Sequence, residues 1–122
     1  MIRILVVDDD FQMREMLGVI LERKGYDVKT ASNGKSALQL QSKKSFDIVI
    51  TDIIVPEKEG LETISELRRG YPRAKIIAIS GGGRNRPEGY MELAREIGAD
   101  RVLVKPFGSW EILGAVRELA AY

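Results

Sequence analysis

The side chains able to do chemistry together are the carboxylates Asp8, Asp9 and Asp10, the carboxylate Asp52, the hydroxyl of Ser80 and the amine of Lys105. Each follows a short aliphatic run: residues 2–7 before the first acids, 48–50 before Asp52, 76–79 before Ser80 and 102–104 before Lys105. Carboxylates drawn to one place repel one another and resist ionisation unless a cation sits among them. A hard divalent cation meets that need, and Mg2+ prefers an octahedral shell of carboxylates, carbonyls and retained waters. Aspartate is also a nucleophile that can carry a phosphoryl group covalently. Phosphoryl transfer asks mainly for positioning and charge neutralisation. Mg2+ and Lys105 can supply both, with the Ser80 hydroxyl donating to a phosphate oxygen.

The elements that must position these groups follow from the pattern around them. Residues 48–50 are β-branched, flanked by polar residues and stopped by Pro56, which reads as a strand buried on both faces. Residues 2–7, 75–80 and 100–104 read the same way, whereas residues 26–31 alternate like a half-exposed edge strand. Between the strands lie helical stretches. Met13, Met16, Leu17, Ile20 and Leu21 form one stripe ended by Gly25, and Asp10 is placed to cap that helix. Asn33-Gly34 turns into a second helix over residues 35–42 with Ala37, Leu38 and Leu40 apolar. A third helix is expected from Gly60 to Gly70, a fourth from Pro87 to Gly98, and a fifth capped by Ser109.

Five βα units with short connections imply an α/β fold, a parallel sheet with helices on both faces. All carboxyl ends of such a sheet share one edge. If the first and third strands are neighbours, Asp8, Asp9 and Asp52 come within about 5 Å, one strand spacing.

Composition narrows the chemistry further. The 122 residues make one domain, 44% hydrophobic and 30% charged, as in ordinary globular proteins. With 19 basic and 18 acidic residues the formal net charge is +1, so nothing points to a nucleic-acid or membrane partner. The absence of cysteine removes disulfides and thiolate chemistry, and the absence of histidine removes Ser-His-Asp catalysis and imidazole ligation. The start of the chain is interrupted by Arg3 and runs into aspartates, unlike a secretory signal, so a cytoplasmic location is expected.

The set Asp8-Asp9, Asp52 with Pro56 and Gly60 after it, Ser80, and Lys105-Pro106-Phe107 resembles the receiver domain of two-component response regulators. The match runs over essentially the whole chain, as in stand-alone receivers of the chemotaxis kind. The resemblance implies a flavodoxin-like, doubly wound five-stranded sheet in the order 2-1-3-4-5. It implies a single receiver domain over residues 1–122, with no output domain after the last helix. Asp52 is then the phosphoacceptor, and Asp9, Asp52 and the backbone carbonyl of Ile54 bind Mg2+, with Asp8 acting through water. Ser80 becomes the switch hydroxyl, Lys105 pairs with the phosphate, and the Lys105–Pro106 bond is cis. The donor would be a phosphohistidine on a histidine kinase or phosphotransfer protein, in keeping with a chain that has no histidine. The downstream partner would be a separate protein, and the chain a monomer or weak dimer.

Several positions depart from the family pattern. Val102 stands where an aromatic switch is usual. Ile54 and Gly82 offer no hydrogen bond to a water attacking the aspartyl phosphate, so slow loss of phosphate is expected. Glu59 replaces the usual aspartate, with little consequence expected.

Other readings compete with these. A phosphorylation-independent docking module rests on Val102. A phosphatase would need a general acid and a substrate cap, and neither is visible. Trp110, in the first turn of the last helix, is either a core side chain or an exposed anchor. With Tyr90 and Val102 it is a candidate partner contact on the face of the fourth helix, fifth strand and fifth helix. Gly34-Lys35-Ser36 lacks the first glycine of a phosphate loop, and Gly81-Gly82-Gly83 lacks the last glycine of a dinucleotide fingerprint. Arg84, Arg86 and Arg101 read as solvated surface.

Overall fold

The computed structural model describes residues 1–53, 58–81 and 89–121, without the side chains of residues 58, 59 and 90. Its elements alternate as β1 (Arg3–Val7), α1 (Phe11–Glu22), β2 (Asp27–Ala31), α2 (Gly34–Lys43) and β3 (Ile48–Asp52). They continue as α3 (Lys58–Gly70), β4 (Lys75–Ser80), α4 (Tyr90–Glu96), β5 (Arg101–Val104) and α5 (Ser109–Ala120). The strands form one sheet in the order β2-β1-β3-β4-β5, every pair parallel. This is the doubly wound, flavodoxin-like architecture.

Strand alternation divides the aliphatic residues between two cores. Ile4, Val6, Ile48, Ile50, Ile77 and Ile79 pack with Leu17 and Leu21 of α1 and with Ile112, Val116 and Leu119 of α5. Leu5, Val7, Val49, Ile76 and Ala78 face the opposite way, against Ala37 of α2, Ile64 and Leu67 of α3 and Ala94 of α4. Because β1, β3 and β4 are covered on both faces, they are aliphatic almost throughout, as the sequence suggests. The edge strand β2 leaves Lys29 and Thr30 exposed.

Some local expectations give way. Met16 is 42% exposed, so the buried stripe of α1 is narrower than the apolar pattern. The third helix begins at Lys58, before Gly60, and Gly60 serves packing: a methyl there would stand 2.9 Å from the Asp52 carbonyl and from Ile53 Cα. Ser109 is the first residue of α5 and Gly108 its cap. The Gly108 amide is met by the Glu111 carboxylate at 2.9 Å instead of the helix being capped by a serine hydroxyl. The fourth helix starts at Tyr90 after Gly89, and Pro87 lies outside the described residues. Asp10 does cap α1, accepting from the Gln12 amide at 2.9 Å, and Gly25 turns the chain with φ 91°. Among the described residues no helix is long and apolar enough to cross a membrane.

Candidate functional site

Register fixes which strand ends meet. Val7 pairs with Thr51, so Asp8 and Asp52 leave the central strands β1 and β3 side by side. On the other flank of β4, Ser80 pairs with Val104, and the Lys105 amide donates to the Ser80 carbonyl at 2.9 Å. The Lys105 side chain then spans β4 to reach β3. Its Nζ lies 2.8 Å from Asp52 Oδ2 and 3.7 Å from Asp8 Oδ2. The Lys105–Pro106 peptide is cis, as the resemblance implies.

Both acids are buried, Asp8 at 3% and Asp52 at 8% exposure. Asp52 Oδ1 and Asp8 Oδ2 are fully covered and accept no hydrogen bond among the described residues. Carboxylate oxygens in that position carry an unrecovered desolvation cost. Burial accordingly pushes the Asp52 carboxyl up to about 6, with Asp8 adding repulsion and Lys105 opposing both. Burial works to lower Lys105, but its hydrogen bond to Asp52 and the charges of Asp52, Asp8 and Asp10 outweigh that and raise it. The amine therefore stays protonated at neutral pH.

A cavity of about 280 Å3 opens beside this pair, lined by Asp8, Asp9 and Asp52 together with Ser32, Asn33 and Thr63. Asp9 is exposed and contributes a third carboxylate. The donor set is all oxygen, and two of the carboxylate oxygens are buried without partners, which suits a hard cation such as Mg2+. Among the described residues no three acids stand close enough together to form a metal-holding group, so the acids share a cavity without a closed cage.

The sequence-derived residues thus separate. Asp8, Asp9 and Asp52 line one cavity, and Lys105 grips two of them. Ser80 is fully buried at the end of β4, but its hydroxyl contacts the Gly81 carbonyl at 3.4 Å and does not line the cavity. Trp110 is 75% exposed, which settles its two readings in favour of the exposed one. Val102 is half-buried and packs against the core cluster that includes Ala94 of α4. Gly82 and the carbonyl of Ile54 lie outside the described residues, and so do the side chains of Glu59 and Tyr90. No local pattern of residues singles out Ser32, Thr63 or Arg14. Arg14 bonds the Asp8 carbonyl at 2.7 Å, and only the fold brings that pair together.

Residues 4–117 match the family model of the response regulator receiver domain. The chain belongs to that family, the receivers of two-component signal transduction. Among solved structures it is similar to the response regulator TrrA of Thermotoga maritima in complex with Mg2+ and BeF, at 37% identity and a TM-score of 0.83, covering 98% of this chain and 99% of that one. It is also similar to the chemotaxis response regulator CheY4 of Vibrio cholerae, at 30% identity and a TM-score of 0.84, with 98% of each chain covered. The transcriptional regulatory protein CpxR homolog of Haemophilus influenzae is 34% identical over 119 residues, which are 98% of this chain and 50% of that protein. SrrA of Staphylococcus aureus is 34% identical over 118 residues, which are 95% of this chain and 46% of that protein. The chain therefore spans about half the length of these curated relatives. Both are named transcriptional regulators, so the expectation of no nucleic-acid partner draws no support from them.

Proposed function

We propose that this chain accepts a phosphoryl group on Asp52 from the phosphohistidine of a separate histidine kinase or phosphotransfer protein. One observation carries the reading. Asp52 is buried, hydrogen-bonded to Lys105 at 2.8 Å, and has a second oxygen with no hydrogen bond among the described residues. With its pKa near 6, this carboxylate is mostly ionised at neutral pH yet poorly solvated, a useful state for a nucleophile. An Asp52 oxygen attacks phosphorus in line, the phosphorus–nitrogen bond of the donor breaks, and the donor imidazole leaves with its electron pair. Lys105 neutralises charge on the transferred group, and Ser80 exchanges its Gly81 contact for a phosphate oxygen.

Asp9, Asp52 and the main-chain carbonyl of Ile54 would hold Mg2+, with Asp8 acting through water. Bound there, the ion supplies neutralisation of the phosphoryl oxygens. The chain acts as a single receiver domain over residues 1–122 and is no turnover enzyme beyond catalysing its own phosphorylation and slow dephosphorylation. The phosphate biases the α4–β5–α5 face, with Tyr90, Val102 and Trp110 as contacts for a downstream protein, and the setting is cytoplasmic.

Incubation with Mg2+ and acetyl phosphate, followed by intact mass measurement, is expected to show one added phosphoryl group on wild type and none on Asp52→Ala. Wild type of unchanged mass would contradict the proposal. It would favour a phosphorylation-independent docking module, a reading that rests on Val102, a valine where the family usually has an aromatic switch.

A further inference from the structure

We infer that Arg14 is a positioning residue for the acidic cavity, fixing the peptide between Asp8 and Asp9 and so aiming the Asp9 carboxylate. The inference rests on the reading that these acids hold Mg2+. Asp8 and Asp10 have anchors of their own. Asp8 Oδ1 accepts from the Asp10 amide at 2.8 Å and Oδ2 faces Lys105, while Asp10 caps α1 through the Gln12 amide. Asp9 lies between them, exposed, and among the described residues its carboxylate makes no hydrogen bond or ion pair, yet it lines the cavity. Its direction is therefore set by the main chain alone.

That main chain is held on both sides of Asp8. The Asp8 amide donates to the Ala31 carbonyl at 3.1 Å, and the Asp8 carbonyl accepts from Arg14 Nη1 at 2.7 Å. The carbonyl belongs to the peptide plane that leads into Asp9, so the arginine controls the plane's rotation. Arg14 is itself fixed. Its amide donates to the Asp10 carbonyl at 3.1 Å in the first turn of α1, and its guanidinium lies 5.6 Å from the Phe11 ring centroid. No carboxylate pairs with it among the described residues, so its directional polar contact is this carbonyl.

The sign of the effect on Mg2+ affinity separates this role from the others. A positive charge beside the acids repels a cation, so if Arg14 acted only through its charge, Arg14→Ala would bind Mg2+ more tightly. A side chain serving stability alone would leave affinity unchanged. A positioning role predicts weaker binding. The test is calorimetric titration of the full chain with MgCl2. Arg14→Ala is expected to raise Kd about five-fold, the scale of one hydrogen bond. Arg14→Lys, which keeps a donor, is expected to recover most of the loss, and phosphorylation by acetyl phosphate should return to the wild-type rate at saturating Mg2+. Unchanged or tighter binding by Arg14→Ala, or Arg14→Lys as weak as the alanine variant, would overturn the inference. If wild type itself binds no Mg2+, the site reading fails and carries the inference down with it, an outcome distinct from normal binding by every variant.

Discussion

At the amino edge of the sheet, Arg68 donates to the carbonyls of Gly98, Pro72 and Ala74 and pairs with Asp100 at 2.8 Å; Asp100 also accepts from the Ile76 amide at 2.7 Å. Arg3 likewise reaches the carbonyls of Lys44 and Ser45, pairs with Asp27 and lies 4.2 Å from the Phe46 ring centroid. At the carboxyl edge, Lys105 is the cation among the described residues that reaches both Asp52 and Asp8, and an oxygen of each acid is buried there without a hydrogen bond among those residues. The first edge spends planar, many-donor guanidinium groups on tying loop carbonyls together. The second leaves buried charge incompletely satisfied. One edge ties the fold together, and the other gives up stability to keep carboxylates buried.

The contrast breaks hardest at Arg68. Arg68→Ala leaves three loop carbonyls and a half-buried carboxylate without their partner, and is expected to cost about 2–3 kcal/mol in urea unfolding. Mg2+ affinity of the folded protein should be unchanged.

A change of opposite sign is expected at the other edge. The folded-state pKa of Asp52 is raised from 3.8 to about 6, so between those values the folded protein holds a proton that the unfolded chain has released. Stability therefore falls as pH rises through that window, and the loss persists above it. Asp52→Asn removes the titration. Without Mg2+ it is expected to gain about 2 kcal/mol at neutral pH and to flatten the slope between about pH 4 and 6. Urea unfolding of both proteins across that range checks the sign.

The smallest expected effect serves as a control away from both edges. Gly18 lies inside α1, and a methyl there meets no atom within 4 Å. Gly18→Ala should add about 0.5–1 kcal/mol by helix propensity alone, with Mg2+ binding unaltered, as measured by thermal unfolding and titration.

Much of the carboxyl edge could be read before the fold was known. Asp8, Asp52 and Lys105 each end an aliphatic strand, and a parallel sheet delivers all such ends to one place. The amino edge could not be read. Arg3 and Arg68 look like surface charges, and their partners include main-chain carbonyls roughly thirty to forty residues away, which no local pattern encodes. Arg14 stayed hidden for the same reason, since its partner is a carbonyl and not a side chain. The start of α5 escaped because the Glu111 side chain, rather than the expected Ser109 hydroxyl, satisfies the first free amide. Trp110 stayed open because in a first helical turn the apolar pattern alone does not decide which way a side chain faces.

The central claim is that the unsatisfied acids of the carboxyl edge exist to hold Mg2+ beside a phosphoryl acceptor. Calorimetric titration of wild type and Asp52→Asn with MgCl2 tests it most directly. A single saturable Mg2+ site in wild type, weakened about ten-fold or more by the substitution, is the predicted result. No binding by wild type, or equal affinity in the two proteins, would contradict it.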